Sequence, residues 1–273
     1  MSKPEGPGTA RLTHVGGPTT LIEVDGWRLL TDPTFDGPGR TYHFGLGTAS
    51  TKVTGPAIAA DDVGPLDAVL LTHDHHADNL DDTGRTLLPG AAVVVTTEPG
   101  AGRLVEGLGD RVRGLPPWAT TRLEHPDRPT ITITATPCRH GPPLSRALVG
   151  DVIGFALSWE GQENGVLWIS GDTVLYDGVR QVADRFDVGL AILHLGAARF
   201  GITGPVHYTM DAAHGLELCR AVRPHTVVPV HYEGWSHFRQ GRAGIVAALA
   251  DAEPALRDAV VILPIGDPTD LSV

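Results

Sequence analysis

The sequence predicts a layered α/β protein in which two mixed β-sheets pack face to face and helices cover the outside, a four-layer αββα sandwich. Short strand-like runs cluster in both halves of the chain, and helical stretches follow each cluster. From residue 66 onward, strands and helices alternate. The chain has 273 residues, of which 41% are hydrophobic, so it can bury one large core, and we expect a single domain over 1–273.

The N-terminal part is predicted to form strands and then a long loop. A Pro- and Gly-rich stretch at 1–9 is expected to be a flexible tail, and three strand-like stretches follow at 11–15, 20–24 and 27–31. Asp25-Gly26 separates the last two, and this pair is a strong signal for a two-residue hairpin turn. The stretch 32–62 has no clear periodicity. Because long loops in compact domains are usually functional, we expect it to wall one side of a site.

The remaining elements are predicted from apolar runs and helical spacing between Gly, Pro and other turn residues. The expected strands lie at 66–72, 91–96, 130–136, 152–159, 165–170, 188–195, 226–231 and 259–263. The expected helices lie at 100–109, 173–186, 209–222 and 241–252. Thr209 is the expected N-cap of the third helix, because a threonine hydroxyl can accept a hydrogen bond from a first-turn N–H.

Composition argues against several classes of function. The formal net charge is −11 and the chain has only two lysines, so it lacks the clustered basic residues with which proteins bind nucleic acid. The N-terminus has no apolar signal region, and no stretch of about eighteen apolar residues occurs, so membrane insertion is not expected. Cys138 and Cys219 are far apart and predict no disulfide framework. We therefore expect a soluble, cytoplasmic protein whose partner is a small-molecule substrate.

The stretch 70–81 concentrates the residue types that bind metals. An apolar run, 68–71, reads as a buried strand, and three histidines and three acidic residues follow within 73–81. His73 and His75 stand one residue apart on a turn that leaves a strand, so their rings can converge on one ion. Imidazole is a favoured ligand for zinc and neighbouring metals, and carboxylates serve as ligands or orient them.

Other predicted strand ends carry the same residue types: His140, Asp172, His194 and His231. If neighbouring strands end on the same edge, these side chains converge with the 73–75 pair on one cleft. No Gly-x-Ser-x-Gly elbow and no dinucleotide-binding glycine pattern occurs, so serine-hydrolase and nicotinamide chemistry find no support.

The order of these motifs resembles the metallo-β-lactamase-fold hydrolases. The resemblance runs along nearly the whole chain, through Thr-Thr-Leu-Ile-Glu-Val-Asp-Gly-Trp-Arg-Leu-Leu-Thr-Asp-Pro at 19–33, Thr-His-Asp-His at 72–75, Thr-Pro-Cys-Arg-His at 136–140, Ser-Gly-Asp-Thr at 170–173 and Pro-Val-His-Tyr at 229–232. Within that superfamily the pattern is most similar to the branch that holds the ascorbate-phosphate lactonase and the N-acyl-phosphatidylethanolamine phospholipase D.

The resemblance implies a metal-dependent hydrolase with two metal sites. His73, His75 and His140 would hold a first metal, for which Zn²⁺ is expected. Asp172 would bridge two metals, and Asp78 with His231 would hold a second, Zn²⁺ or Mn²⁺. A metal-bound hydroxide would attack an ester, lactone or phosphoester, because coordination lowers the pKa of water towards about 7.

The family motif HxHxDH is not matched as it stands. Without a gap, Ala77 stands at the Asp position; with one inserted residue, Asp78 takes that position and Asn79 replaces the following histidine. We prefer the second alignment, since the next Leu-Asp then matches too. An amide oxygen is a poorer zinc ligand than imidazole, so the second site is expected to bind zinc weakly, to prefer manganese, or to use His76 instead.

Further polar residues are expected near the site. Asp78 and His207 are the candidate catalytic residues, since the resemblance places a histidine at 207 near the substrate, where it could donate a proton or only hydrogen-bond locally. Supporting roles are expected for His14, Asp32 and His194. Roles are left open for His43 and His237. Substrate contacts are expected from 33–62 and from around Arg199 and Phe200. Structural or surface positions are expected for His125, His214 and His225, and Cys138 is expected to be a small packed residue.

Two other functions remain open from the sequence. A degenerate relative of the same fold that binds metal without turnover, such as a sensor, is motivated by Asn79 and the inserted residue. A phosphodiesterase or nuclease would use the same metals, although the acidic balance disfavours a nucleic-acid substrate.

Overall fold

Two β-sheets stacked face to face form the centre of the computed structural model, which describes residues 8–45 and 47–273. The strands are β1 (Thr9–Gly16), β2 (Thr19–Val24), β3 (Trp27–Thr31), β4 (Thr41–Gly45), β5 (Thr48–Thr51), β6 (Leu66–Leu70), β7 (Ala91–Thr97), β8 (Val112–Leu115), β9 (Thr120–His125), β10 (Arg128–Pro137), β11 (Ile153–Ser158), β12 (Val166–Ile169), β13 (Val188–His194), β14 (Thr226–Val230) and β15 (Thr269–Ser272).

The α-helices are α1 (Asp82–Leu87), α2 (Glu98–Leu108), α3 (Arg146–Val149), α4 (Asp177–Arg180), α5 (Ala212–Val222), α6 (Arg242–Ala250) and α7 (Pro254–Ala259). Short 3₁₀ segments lie at Ala60–Asp62, Leu88–Gly90, Gly109–Arg111, Gln181–Asp184 and Gly201–Thr203. Among the described residues, every helix is too short or too polar to cross a bilayer.

Each sheet combines antiparallel and parallel pairs. The first sheet has seven strands in the order β15-β1-β2-β3-β6-β7-β8, and its last four strands pair in parallel. The second has six strands in the order β14-β13-β12-β11-β10-β9, with parallel pairs between β12, β13 and β14. Because strands β6, β12, β13 and β14 have parallel partners, their carboxyl ends and the loops that follow them lie at a shared edge of the molecule.

Three apolar layers hold the sandwich together. Buried side chains from both sheets meet between them, among them Leu12, Ile22, Phe155 and Leu167. The outer face of the second sheet packs against α4 to α7, and the outer face of the first packs against α1, α2 and the 58–63 segment. The predicted four-layer αββα sandwich is therefore confirmed.

Local sequence signals explain several turns and helix starts. Asp25 and Gly26 both have positive φ, 42° and 85°, as the two-residue hairpin turn requires. Asp81 caps α1 by accepting from the N–H of Gly84, and Thr97 caps α2 by accepting from Gly100.

Other sequence expectations differ from the structure. The N-cap of α5 is Asp211, which accepts from the N–H of His214, whereas the Thr209 hydroxyl accepts from the N–H of Ala198. The helix expected at 173–186 is reduced to α4 and a 3₁₀ turn. At 259–263 only an isolated bridge from Val260 occurs in place of a strand. Strands β8, β9 and β15 had no clear sequence signal. Residues 1–7 of the expected tail lie outside the described residues, and Thr9 already belongs to β1.

The expected loop at 32–62 contains the hairpin β4–β5, which a buried ion pair fastens to the rest of the fold. Lys52 Nζ lies 2.8 Å from Asp81 Oδ2, and both side chains are almost fully buried. The same carboxylate accepts from the N–H groups of Phe35 and Asp36. Tyr42 adds a hydroxyl hydrogen bond to Asp36. These contacts set the position of the hairpin beside the strand-end edge.

We predict that Lys52→Met destabilises the protein by about 3 kcal/mol, because it leaves the Asp81 carboxylate buried without its cation. Urea unfolding monitored by circular dichroism measures this loss. Arg40→Met is the matched control: Arg40 pairs with Asp82 at the surface, so its removal should leave the midpoint nearly unchanged. Equal midpoints for both variants would contradict a role for the buried pair.

Candidate metal centre

Polar side chains from five strand ends meet at one edge of the sandwich. His73 follows β6, His140 follows β10, Asp172 follows β12, His194 ends β13 and His231 follows β14. At most 9% of any of these five residues is exposed. The backbone of His231 has a φ of 56°, and its N–H donates to the carbonyl of Gly17 at 2.8 Å, which fixes the turn after β14.

A first group of donor atoms surrounds His73. Ligand atoms of His73, His140 and Asp172 all lie within 4.8 Å of one another, and the same holds for His73, His75 and His76. His73 Nε2 is 3.0 Å from His76 Nδ1. His140 and His75, both expected at the first metal, thus each share a group of ligand atoms with His73, and His76 joins the group that contains His75.

A second group surrounds Asp172. Its Oδ1 lies 2.8 Å from His194 Nδ1 and 2.9 Å from His231 Nδ1. On the other side of His231, Nε2 lies 3.6 Å from Asp78 Oδ2. Asp172 therefore belongs to both groups, which is the position expected of a bridging carboxylate.

Unsatisfied polar atoms concentrate at this edge. The following buried atoms have no hydrogen-bond partner in the described part of the chain: Asp78 Oδ1, Asn79 Oδ1, Asp172 Oδ2 and His194 Nε2. The two ring nitrogens of His231 lie near carboxylates but form no hydrogen bond with them. A buried polar group without a partner costs about 1–3 kcal/mol, so such a concentration is rare unless something else satisfies it. Nitrogen and carboxylate oxygen donors fit a divalent cation such as Zn²⁺ or Mn²⁺. The donor set therefore fits the metals expected from the sequence.

The protonation states favour cation binding. Burial, together with the neighbouring imidazoles, holds the pKa of His73 well below its usual value, and burial lowers the pKa of His76 to about 3. These rings are therefore neutral and have lone pairs to offer. Burial alone would raise the pKa of Asp172, but His231 and His194 hold it well below its usual value.

His231 has the opposite environment. Burial lowers its pKa, but the carboxylates of Asp172 and Asp78 outweigh burial and raise it to about 10. His231 therefore carries a proton when no cation is bound. A cation bound between these carboxylates would replace that proton, because the cation and the proton neutralise the same negative charge.

Hydrogen bonds orient two of the imidazoles. His140 Nδ1 donates to the carbonyl of Tyr208 at 2.8 Å, which leaves Nε2 as the free nitrogen. Thr72 Oγ1 lies 3.0 Å from both Asp32 carboxylate oxygens and 3.0 Å from His73 Nδ1. When the hydroxyl donates to Asp32 it can accept from His73 Nδ1–H, so the lone pair of Nε2 is left for a metal. Asp32 thus acts on the imidazole through Thr72.

The residues of the irregular HxHxDH motif occupy different surroundings. Asn79 is fully buried, and its Nδ2 lies 3.4 Å from Thr72 Oγ1, which places it in the Asp32–Thr72 group. His76 packs against the His73 ring and edge-on against Phe44. Of the two residues, His76 is the one whose ring nitrogen lies among the ligand atoms around His73.

His75 and His14 are held by backbone carbonyls. His75 Nε2 contacts the carbonyl of Val149, and 23% of its side chain is exposed. His14 Nε2 lies 3.0 Å from the carbonyl of Gly17, which also accepts the N–H of His231. His14 therefore supports the turn that carries His231.

His207 lies away from the metal-ligand residues, whereas His237 contacts Asp78. His207 Nδ1 is 3.9 Å from Asp211 Oδ2, in a partly exposed group with His214, and it is not among the residues that line the cavity described next. His237, whose role the sequence left open, is 97% buried, with Nε2 3.1 Å from Asp78 Oδ2 and Nδ1 2.6 Å from Ser50 Oγ. Only its position six residues after His231 hinted at this contact.

A cavity of about 230 Å³ opens beside the metal-ligand residues. His76, Asp78, His140 and His237 form its polar side. The rest is mostly apolar and is formed by Phe44, Gly45, Thr48, Pro142, Pro143, Leu144, Ser145, Val149, Ala198, Phe200, Thr203 and Tyr208. The predicted wall at 33–62 thus contributes Phe44, and Phe200 stacks on His237 at 5.0 Å. Arg199 does not line the cavity; its N–H donates to the His237 carbonyl.

Comparisons with known proteins show which family the chain belongs to. The family model of the beta-lactamase superfamily domain matches residues 27–232, which is most of the chain. The chain belongs to this family. A UPF0173 metal-dependent hydrolase of Carboxydothermus hydrogenoformans is 26% identical over 261 residues, covering 94% of this chain and 98% of the relative.

Two solved structures share the fold. An isothiocyanate hydrolase from Delia radicum gut bacteria superposes with a TM-score of 0.78 at 21% identity, covering 96% of this chain and 100% of the other. Igni18, a metallo hydrolase from Ignicoccus hospitalis, gives 0.72 at 21% identity, with coverage of 97% and 99%. The chain is therefore a metal-dependent hydrolase of the metallo-β-lactamase fold.

We predict that protein purified without chelator holds one tight zinc and a second metal that dialysis removes. His73→Ala should lose the tight zinc, because His73 shares one set of ligand atoms with His75 and another with His140. Metal content per chain, measured by mass spectrometry, tests both statements. His125→Ala, on exposed β9, is the control and should keep the zinc. Two zincs that survive dialysis would rule out a labile second site.

We also predict that Thr72→Val weakens zinc binding by about 10- to 100-fold, since the lost hydroxyl no longer orients His73. Competition with a chromophoric chelator measures the affinity. Thr72→Ser keeps the hydroxyl and should bind zinc nearly as the unchanged protein does. If valine and serine give the same affinity, the Asp32–Thr72–His73 contacts do not tune the metal.

Proposed function

We propose that this hydrolase cleaves a small-molecule ester, lactone or phosphoester with two divalent metals. The first, held by His73, His75 and His140, is proposed to be Zn²⁺. The second, Zn²⁺ or Mn²⁺, is proposed to be labile and held by Asp78 and His231, with Asp172 between the two. The observation that carries the proposal is the group of unpartnered buried ligand atoms beside an apolar cavity.

The protein's own residues have separable tasks in this reaction. Bound divalent cations would supply Lewis acidity and an attacking water of lowered pKa. Asp78 lies between His231 and His237, and its unpartnered Oδ1 can hold the attacking water and accept its proton. We therefore propose Asp78, rather than His207, as the group that handles the proton.

The cavity wall orients the substrate and excludes water. Phe44, Phe200 and Tyr208 form an aromatic wall, and Phe44 and Phe200 contact each other with ring centroids 5.7 Å apart. A wall of this kind binds the apolar part of a small substrate. The net charge of −11 argues against a nucleic-acid substrate.

The proposed substrate class follows the sequence resemblance. The branch with the ascorbate-phosphate lactonase and the N-acyl-phosphatidylethanolamine phospholipase D supports lactones and phosphodiesters as first candidates. The isothiocyanate hydrolase that shares the fold adds a small isothiocyanate as a further probe.

We predict turnover within a panel of small esters, lactones, phosphodiesters and an isothiocyanate, assayed with added Zn²⁺ or Mn²⁺. His73→Ala should abolish turnover, and Asp78→Asn should lower kcat by about 100-fold or more, because its amide cannot accept a proton. Phe200→Ala should mainly raise KM, since it removes part of the apolar wall.

Product formation followed by chromatography measures these effects. Turnover that is insensitive to His73→Ala would show that the metal-ligand residues are not the site of chemistry. No turnover across the whole panel by metal-loaded protein would favour a metal-binding protein without activity on these substrates.

A further inference from the structure

A second cavity lies on the other side of His140. It has a volume of about 380 Å³ and shares a wall with the first, formed by His140, Pro142, Leu144 and Ser145. A group bound here would therefore lie one side chain away from the metal-ligand residues.

Four charged side chains line this second cavity, and they differ in their partners. Arg146 pairs with Asp151 through two contacts, so these two charges cancel. Glu98 is exposed to water in the first turn of α2. The guanidinium of Arg139 makes no hydrogen bond or ion pair within the described ranges, and its Nε is buried.

Packing against an aromatic ring, rather than an acidic partner, holds the Arg139 side chain in position. Its Cζ lies 4.6 Å from the centre of the Tyr176 ring, and its backbone N–H donates to Thr173 Oγ1. A guanidinium held by an aromatic face is pre-organised for a planar anion, since little conformational freedom is lost on binding. Glu98 needs no such ligand because water solvates its exposed carboxylate.

We propose that the second cavity binds an anionic group, a carboxylate or a phosphate, and that Arg139 is the cation that recognises it. This proposal rests on the proposed function and names its substrate class. The substrate would be a small molecule with an anionic substituent beside the bond that is cleaved. The apolar cavity would hold the other part of that molecule. Arg139 is then a binding residue that determines specificity and takes no part in bond cleavage.

Anion binding is tested directly by calorimetry with benzoate and with inorganic phosphate. The full chain is titrated both as purified with its metals and after chelator treatment, because anions also bind metals. Benzamide, the neutral match of benzoate, is the ligand control. We expect Arg139→Gln to weaken binding of at least one anion by about 10-fold or more in both forms, and Arg139→Lys to recover most of it.

The double variant Arg146→Gln with Asp151→Asn is the matched control, because it removes a charge pair from the same cavity without changing the net charge there; its anion affinity should be unchanged. Glu98→Gln should leave anion affinity unchanged or raise it. Loss of affinity for benzoate alone or phosphate alone identifies which anion the site takes. Any of three results would overturn the proposal. Anion binding could require the metals, it could be no stronger than benzamide binding, or it could be insensitive to Arg139→Gln.

Kinetic measurements distinguish a failure of the anion site from a failure of the proposed esterase function. Its substrates are a 4-nitrophenyl monoester of a dicarboxylic acid and a neutral 4-nitrophenyl ester of equal length. Arg139→Gln should raise KM at least about 10-fold for the anionic ester alone, with kcat unchanged. If neither ester turns over while Arg139-dependent anion binding persists, the esterase proposal fails and the anion site stands. An equal rise in KM for both esters overturns the anion site.

Discussion

The buried carboxylate of Asp172 holds together the arrangement on which the site depends. It contacts His194 and His231 directly and shares a group of ligand atoms with His73 and His140. These side chains come from the ends of strands in both sheets, so one negative charge links the two halves of the sandwich. Without a cation, this edge would combine ionised carboxylates and unpartnered imidazole nitrogens away from water, which is an unfavourable arrangement.

The rigidity of the sandwich makes that arrangement possible. Side chains such as Phe155 and Leu167 are fully buried between the sheets and fix the strand ends. The strained φ of His231 and the His14–Gly17 contact then position one imidazole. Because the unfolded chain has no such preformed site, metal binding and folding are coupled in a protein of this design.

We propose that the loops between the strand ends recognise the substrate. The hairpin β4–β5 brings Phe44 over the cavity and is fastened by Lys52 to Asp81, the residue that also caps α1. The segment 140–145 separates the apolar cavity from the one that Arg139 lines. The proposed chemistry thus lies on rigid strand ends and the proposed selectivity on connecting segments, which is a common division in enzymes.

The sequence by itself determined the layered fold, most strands and the turn at Asp25-Gly26, because those depend on periodicity and on residues next to each other. It also identified the strand ends that carry His73, His140, Asp172 and His231, because an apolar run that stops at a metal-ligand residue is a local signal.

Only the tertiary structure decided which loop residues reach the centre. His237 contacts Asp78, whereas His207 lies beside Asp211. His76 joins the ligand atoms around His73, whereas Asn79 joins the Asp32–Thr72 group. Arg139 lines a cavity without an acidic partner, and Lys52 is buried against Asp81. Contacts between residues far apart in the chain depend on how loops pack on the finished sandwich, and neither periodicity nor spacing records that packing.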